Sequence, residues 1–188
     1  MSLPYSDDWV AGGPDGSVIV TSLAGSVKYD ANGNQKWVSP IGGRGAAIDN
    51  AGNIYLANDH NAKLSSAGSL LWTASDGSSK VRMDAQGKPV FMRSYYVGVG
   101  PDTRAYVNIM EVDGFDAGTG TWIWGFKHVS GTNAAGNALV DFYVRPGYIA
   151  FSNGETDSAL YSGSWLASVC DAAANPPALA RACVFTPV

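Results

Sequence analysis

Two stretches of the chain, Asp15–Pro40 "DGSVIVTSLAGSVKYDANGNQKWVSP" and Ala51–Ser75 "AGNIYLANDHNAKLSSAGSLLWTAS", read as copies of one unit. Lys28 falls on Lys63, and Val18, Ile19 and Val20 fall on Ile54, Tyr55 and Leu56. The turn glycines Gly16, Gly52 and Gly87 lie 36 and 35 residues apart, and Trp37 and Trp72 lie 35 apart. Gly33 and Gly68 each precede their tryptophan by four. The spacing shortens by one residue where "TSLAGS" faces "ANDHN", a turn, and turns tolerate such loss. A period of this size marks a repeat architecture and decides the fold class.

Each unit holds four short β-prone runs. In the second they are "GAAID", "NIYLAN", "AKLSS" and "LLWTA", separated by Gly, Asn, Asp and Ser. Four short strands joined by hairpin turns and repeated make a propeller blade. A lone meander cannot cover both faces, so blade must stack on blade, with Trp filling the wedge between neighbours. The third unit begins at "VRMDAQGKPVFMRSYY" and resumes after an insertion at "NIMEVDGFDAGTGTWIWGF", where Gly120 again precedes Trp124 by four. The fourth is weaker: Gly147 and Gly163 keep their turns, but Ala167 stands at the tryptophan position.

The expected fold is therefore all-β, a β-propeller-like array of about four four-stranded antiparallel blades. Units run over about 9–43, 44–79, 80–130 and 137–168 of a single domain 1–188, with an irregular segment 169–188. A chain of 188 residues, 46% hydrophobic and 15% charged, is globular and sized for one domain. Four units leave closure open: a ring of four, a partial propeller cut from a larger one, or a homodimer that completes a ring.

At "FDAGTGTWIWGF", Asp116, Thr119, Gly120 and Trp124 reproduce a D-x-x-T-G-x-x-x-W pattern. This resembles the repeat of PQQ-like, quinoprotein-type β-propellers, and "YDANGNQKW" and "LSSAGSLLW" are looser copies. The resemblance covers about Gly12 to Gly125 well and Leu139 to Ala167 poorly. It implies a fold more firmly than a function. The family includes quinone-dependent dehydrogenases, envelope scaffold proteins of outer-membrane assembly and non-enzymatic binding domains. The dehydrogenases use adjacent cysteines, a calcium-ligating acid and amide set, and an aspartate base inside eight blades. This chain has no adjacent cysteines and about half the blades, so PQQ is not expected as a cofactor.

The segments "DANGN", "DNAGN" and "DAQGK", from Asp30, Asp49 and Asp84, present oxygen ligands as a calcium loop does. The same residues suit hairpin turns, because Asn and Gly tolerate left-handed backbone. Turns are favoured over calcium, and no metal ligand is assigned. His60 occupies a turn that the sister repeat fills with "LAG", and His128 is expected beyond an outer strand. No serine stands in a nucleophile-elbow setting, so no catalytic residue is assigned.

Binding residues are sought where the repeat is broken. The insertion "RSYYVGVGPDTRAYVNIMEVDG" carries Tyr95, Tyr96, Asp102, Arg104 and Tyr106, side chains suited to recognition on an extended loop. The alternative is a longer self-paired hairpin. Trp122 and Trp124 alternate in "TWIWGF" and are expected on one side of a strand, Trp124 in the core. Trp122 is unmatched by the repeat and is a candidate stacking platform, with blade packing as its other fate. Cys170 and Cys183 flank a proline-containing loop and form a local disulfide if the protein is exported, or else two buried thiols.

Net charge is −4, and the 12 Lys and Arg form no basic stripe, which argues against nucleic-acid partners. No apolar run is long enough to span a bilayer, and "MSLPYSDDW" is not a signal peptide. The expected function is non-catalytic binding or scaffolding, of protein or carbohydrate, in a bacterial periplasm, cell envelope or secreted setting. The alternatives are a hydrolase or lyase with its site on the propeller axis and a calcium-stabilised structural module.

Overall fold

A computed structural model describes residues 9–84, 86–98, 106–132, 141–145, 148–152, 158–162 and 186–187, with side chains described at 9–84, 86–93 and 111–125. The described residues contain strands and turns and no helix. The first sheet consists of β1 (Trp9–Gly12), β2 (Val18–Ser22), β3 (Gly25–Tyr29) and β4 (Gln35–Ser39). The second consists of β5 (Gly45–Ile48), β6 (Ile54–Ala57), β7 (Ala62–Leu64) and β8 (Leu70–Thr73). The third is built from β9 (Lys80–Met83), β10 (Pro89–Gly98), β11 (Tyr106–Phe115) and β12 (Trp122–Thr132), and the fourth from β13 (Asp141–Arg145), β14 (Tyr148–Ser152), β15 (Ser158–Ser162) and β16 (Thr186–Pro187). In every sheet the strands lie in chain order, as in propeller blades.

Two compact units make up the chain. One holds the first two sheets, β9 and the Asp116–Thr121 turn; the other holds most of the long strands of the third sheet and the fourth sheet.

The turns follow from backbone chemistry. Gly16, Gly33, Gly52, Gly68, Gly87 and Gly120 all have φ between +72 and +88°, a region that L side chains avoid. An acid or serine opens most of these turns and accepts from the turn's own amides. Asp30 Oδ1 takes Asn32 N and Asn34 N, both at 2.9 Å, and Asp84 Oδ1 takes Gln86 N at 2.9 Å and Lys88 N at 2.8 Å. Asp116 does the same for Gly118 N and Thr119 N, so the turn chemistry is repeated from blade to blade.

The first two sheets share a core. Ile19 of β2 packs with Ala46, Ile48, Ile54, Leu56, Ala62 and Leu64 of the second sheet, all at most 8% exposed. Burying such side chains contributes roughly 1.5–3 kcal/mol each before entropy is charged.

Trp37 and Trp72 each lock a blade to a turn of the next. The Trp37 indole Nε1 donates to Ser66 O at 2.9 Å, and its ring lies where a Cβ on Gly68 would stand, 2.8 Å away. Trp72 repeats this one blade on, donating to Ala117 O at 3.2 Å with its ring against Gly120. The turn glycines are thus needed twice, once for φ and once for the indole's approach.

Two expectations change on the structure. Strict alternation put Trp122 and Trp124 on one face, but the β11–β12 register shifts between Gly114 and Phe115. Trp122 pairs with Phe115 and Trp124 with Gly114, so the two indoles take opposite faces. The same bulge recurs at Lys28/Tyr29 and at Lys63/Leu64. The fourth sheet takes its last strand from Thr186–Pro187, inside the segment read as irregular. A proline cannot donate to a ladder and is tolerated on such an edge. In the insertion, β10 and β11 are neighbours in the third sheet and each have 10 residues, as in the longer hairpin already considered, with Tyr95 and Tyr96 on β10.

Candidate functional site

A cleft of about 650 Å³ opens beside the first Trp lock. Its lining comes from three turns and two strands: Asp15 and Ser17, Asp30 and Asn32, Ser66 and Ala67, Lys36 and Trp37 of β4, and Lys28 of β3. The volume lies within the roughly 300–1,000 Å³ range of small-molecule sites. No reading of the sequence singled it out. The one signal available was the pairing of Lys28 with Lys63 in the repeat.

Lys28 is 6% exposed, although it carries a full charge. Its Nζ donates to Gly52 O at 3.2 Å, which reaches across to the next blade. Around it the acids are held by their own turns. Asp15 Oδ1 accepts from Ser17 Oγ at 2.6 Å and from Ser17 N at 3.1 Å, and these bonds hold the carboxyl below its ordinary value. The backbone and side chain of Asn34 do the same for Asp30, whose Oδ2 takes Asn34 Nδ2 at 3.2 Å. Both acids stay ionised near neutrality, so the cleft presents two carboxylates and two ammonium groups.

The second blade fills the corresponding position. Where β2 has Ile19 opposite Lys28, β6 has Tyr55 opposite Lys63. The Tyr55 ring is fully buried and 5.9 Å from the Trp72 ring, and the Lys63 ammonium stands 5.0 Å from its centroid. Lys63 Nζ also donates to Ala117 O at 2.7 Å, and Tyr55 OH donates to Asp49 Oδ2 at 3.2 Å. Burial, reinforced by the Asp49 charge, pushes the Tyr55 phenol well above its ordinary value. For Asp49, burial pushes the carboxyl up, but bonds from Asn53, Tyr55 and Ala51 outweigh it and leave it lowered.

The third sheet departs again. Gly114 stands at the Lys28 and Lys63 position, opposite Trp124, and the Trp124 indole occupies the space that a side chain there would need. Trp124 is buried. Trp122 is half-buried and donates through Nε1 to Asp113 Oδ1 at 2.9 Å, so its ring is anchored within its own sheet. Arg93 forms a 2.8 Å ion pair with the buried Glu111 across β10 and β11.

Of the residues proposed for binding, Tyr95 and Tyr96 are placed on β10 without described side chains, and Asp102 and Arg104 lie outside the described residues, as do Cys170 and Cys183. His60 is exposed in its turn beside Asp59, which pairs with Arg44 at 2.7 Å on the surface. His128 lies on β12. Among the described residues no group of three or more His, Cys, Asp or Glu is arranged to hold a metal ion, and no helix is long and apolar enough to cross a membrane.

The meanders and their Trp locks define a β-propeller-type repeat protein. The fold is similar to that of BamB from Moraxella catarrhalis, with a TM-score of 0.50 at 14% identity over 84% of this chain. The match spans 49% of that protein, so the chain covers about half its length. A protein of unknown function from Bacteroides caccae superposes less closely, with a TM-score of 0.40 at 9% identity over 83% of this chain and 73% of that one. The chain matches no protein-family model and no curated protein.

Proposed function

We propose that this chain is a non-catalytic binding or scaffold domain that recognises a protein or a carbohydrate. The observation that carries the reading is the cleft between the first two blades, where a buried lysine and two turn-held carboxylates face an opening of ligand size. Rigid turns hold these groups in place before any ligand arrives, and such preorganisation favours recognition. The likeness in fold to BamB and the resemblance to PQQ-like repeats support placing this domain in a bacterial periplasm, envelope or secreted protein, with a protein partner among its ligands.

The test combines binding and turnover. Purified chain is melted in the presence of acidic and basic peptides and of oligosaccharides, and each ligand is then checked by mass spectrometry. A ligand at a hundred times its Kd contributes about 2.7 kcal/mol, which raises the melting temperature by several degrees in a domain of this size. A saturable rise with the ligand recovered intact is the expected result. Cleavage or elimination of a ligand by the chain would sink the non-catalytic reading, and the hydrolase or lyase alternative would take its place.

A further inference from the structure

The two equivalent lysines make different demands. A buried ammonium needs acceptors to offset the hydration it has lost. Lys63 has a 2.7 Å carbonyl and the face of Tyr55. Lys28 has three N–H donors and, among the described residues, one hydrogen bond, the longer 3.2 Å contact to Gly52 O. Ile19 opposite it supplies neither an acceptor nor a π face. Lys28 is therefore a nine-tenths buried donor, short of partners, on the wall of an open cleft.

The lining says what chemistry would complete it. Asp15 and Asp30 cancel Lys28 and Lys36, so a ligand with net charge would be poorly matched. The Asp15 and Asp30 carboxylates already accept two and three hydrogen bonds from their own turns, which leaves outer lone pairs suited to hydroxyl donors. Lys28, Lys36 and the Asn32 amide are donors suited to hydroxyl oxygens, and the half-buried Trp37 indole adds an aromatic surface to the same lining. Groups that both donate and accept around an aromatic, with no net charge, describe the surface of a sugar ring.

Resting on the binding-domain reading, we infer that the cleft between the first two blades is a subsite for a neutral saccharide, with Lys28 donating to a ring hydroxyl or glycosidic oxygen and Asp15 and Asp30 accepting from hydroxyls.

Amide and indole NMR spectra of the whole chain, titrated with cellobiose, maltose, chitobiose and lactose, test this, with glycine and free lysine as zwitterionic controls. Saturable shifts at Ser17, Asn32, Ser66, Ala67 and the Trp37 indole N–H are expected from at least one disaccharide. Ala67→Trp, at an exposed position that plugs the cleft, should abolish them. Lys28→Met should weaken binding about tenfold, the loss of one charge-assisted hydrogen bond. Should Lys28→Met fail to fold, Asn32→Ala, on an exposed turn, provides the same test with a smaller weakening.

Absence of shifts with all four disaccharides overturns the inference. Shifts produced by the zwitterions instead overturn it and leave the binding-domain reading standing. Disaccharide binding that survives Ala67→Trp puts the sugar elsewhere and also overturns it, again without touching that reading.

Discussion

The first and second blades are built on one pattern and end in opposite states. Both carry a lysine on the third strand, a tryptophan on the fourth, and a positive-φ turn glycine between them, Gly33 and Gly68. In the second, Tyr55 fills the space between Lys63 and Trp72 and satisfies the lysine, the indole and Asp49 together. In the first, Ile19 is drawn into the shared core, and a polar cleft remains beside Lys28. One substitution at an equivalent position separates a closed structural joint from an open site.

The largest expected effect comes from removing that difference. Tyr55→Ala should cost about 3–5 kcal/mol in chemical denaturation, because it empties a fully buried ring site and strips Lys63 and Asp49 of a partner. If the cost were below about 1 kcal/mol, Tyr55 would not be what closes the second joint.

Next come the glycines of the locks. Gly68→Ala and Gly120→Ala combine a positive φ with a methyl placed 2.8 and 2.6 Å from the indole of Trp37 or Trp72. Each should cost about 1–3 kcal/mol. Pairing Gly68→Ala with Trp37→Ala should cost less than the sum, and simple additivity would deny the lock. Trp37→Phe, which keeps an aromatic ring but deletes the bond to Ser66 O, should cost about 1 kcal/mol.

The acids provide a gentler comparison through pH. Asp30 and Asp116 have carboxyls held below their ordinary value by bonds from Asn34 and from Thr119 respectively. Their stabilisation is present above the ordinary carboxylate range and is lost as pH falls through the lowered folded values. Asp84 has two amide donors but no side-chain donor, and burial raises its carboxyl. Its sign is reversed: ionisation in the folded state costs stability at neutral pH, and acidification through the raised value recovers it. Stability measured from neutral pH into the acid range should fall less steeply in Asp30→Asn than in the parent chain, and should start higher at neutrality in Asp84→Asn. The opposite order would refute the turn-by-turn assignment. Smallest of all, calcium chelation should leave the melting temperature unchanged, because the carboxylates of "DANGN" and "DNAGN" are engaged by their own turns.

The blade repeat was legible in the sequence because glycine at positive φ and tryptophan in an interblade wedge are demands that few other residues meet. Gly33, Gly68 and Gly120 have positive φ, and the Trp37 and Trp72 indoles donate to carbonyls of a neighbouring turn. The bulge that separates Trp122 from Trp124 was not legible, since an extra residue in a strand leaves no mark on composition, only on register. The cleft was hidden for a different reason. Asp15, Lys28, Asp30 and Lys36 are ordinary turn and strand charges taken singly; they converge because the first sheet brings its two turns to one end, where Ser66 and Ala67 of the second sheet complete the wall. The last strand, at Thr186–Pro187, is two residues long and carries no periodicity to read.

The lock between the first two blades is asymmetric in its information content. The earlier blade contributes a tryptophan, which selection can see, whereas the later blade contributes a carbonyl and a glycine, which are nearly free of side chain. At the lock itself the later blade can therefore exchange its turn side chains and still be accepted, provided the turn keeps its glycine, whereas the core beneath it, where Ile19 meets Ile48, Ile54 and Leu56, holds the blade to apolar side chains.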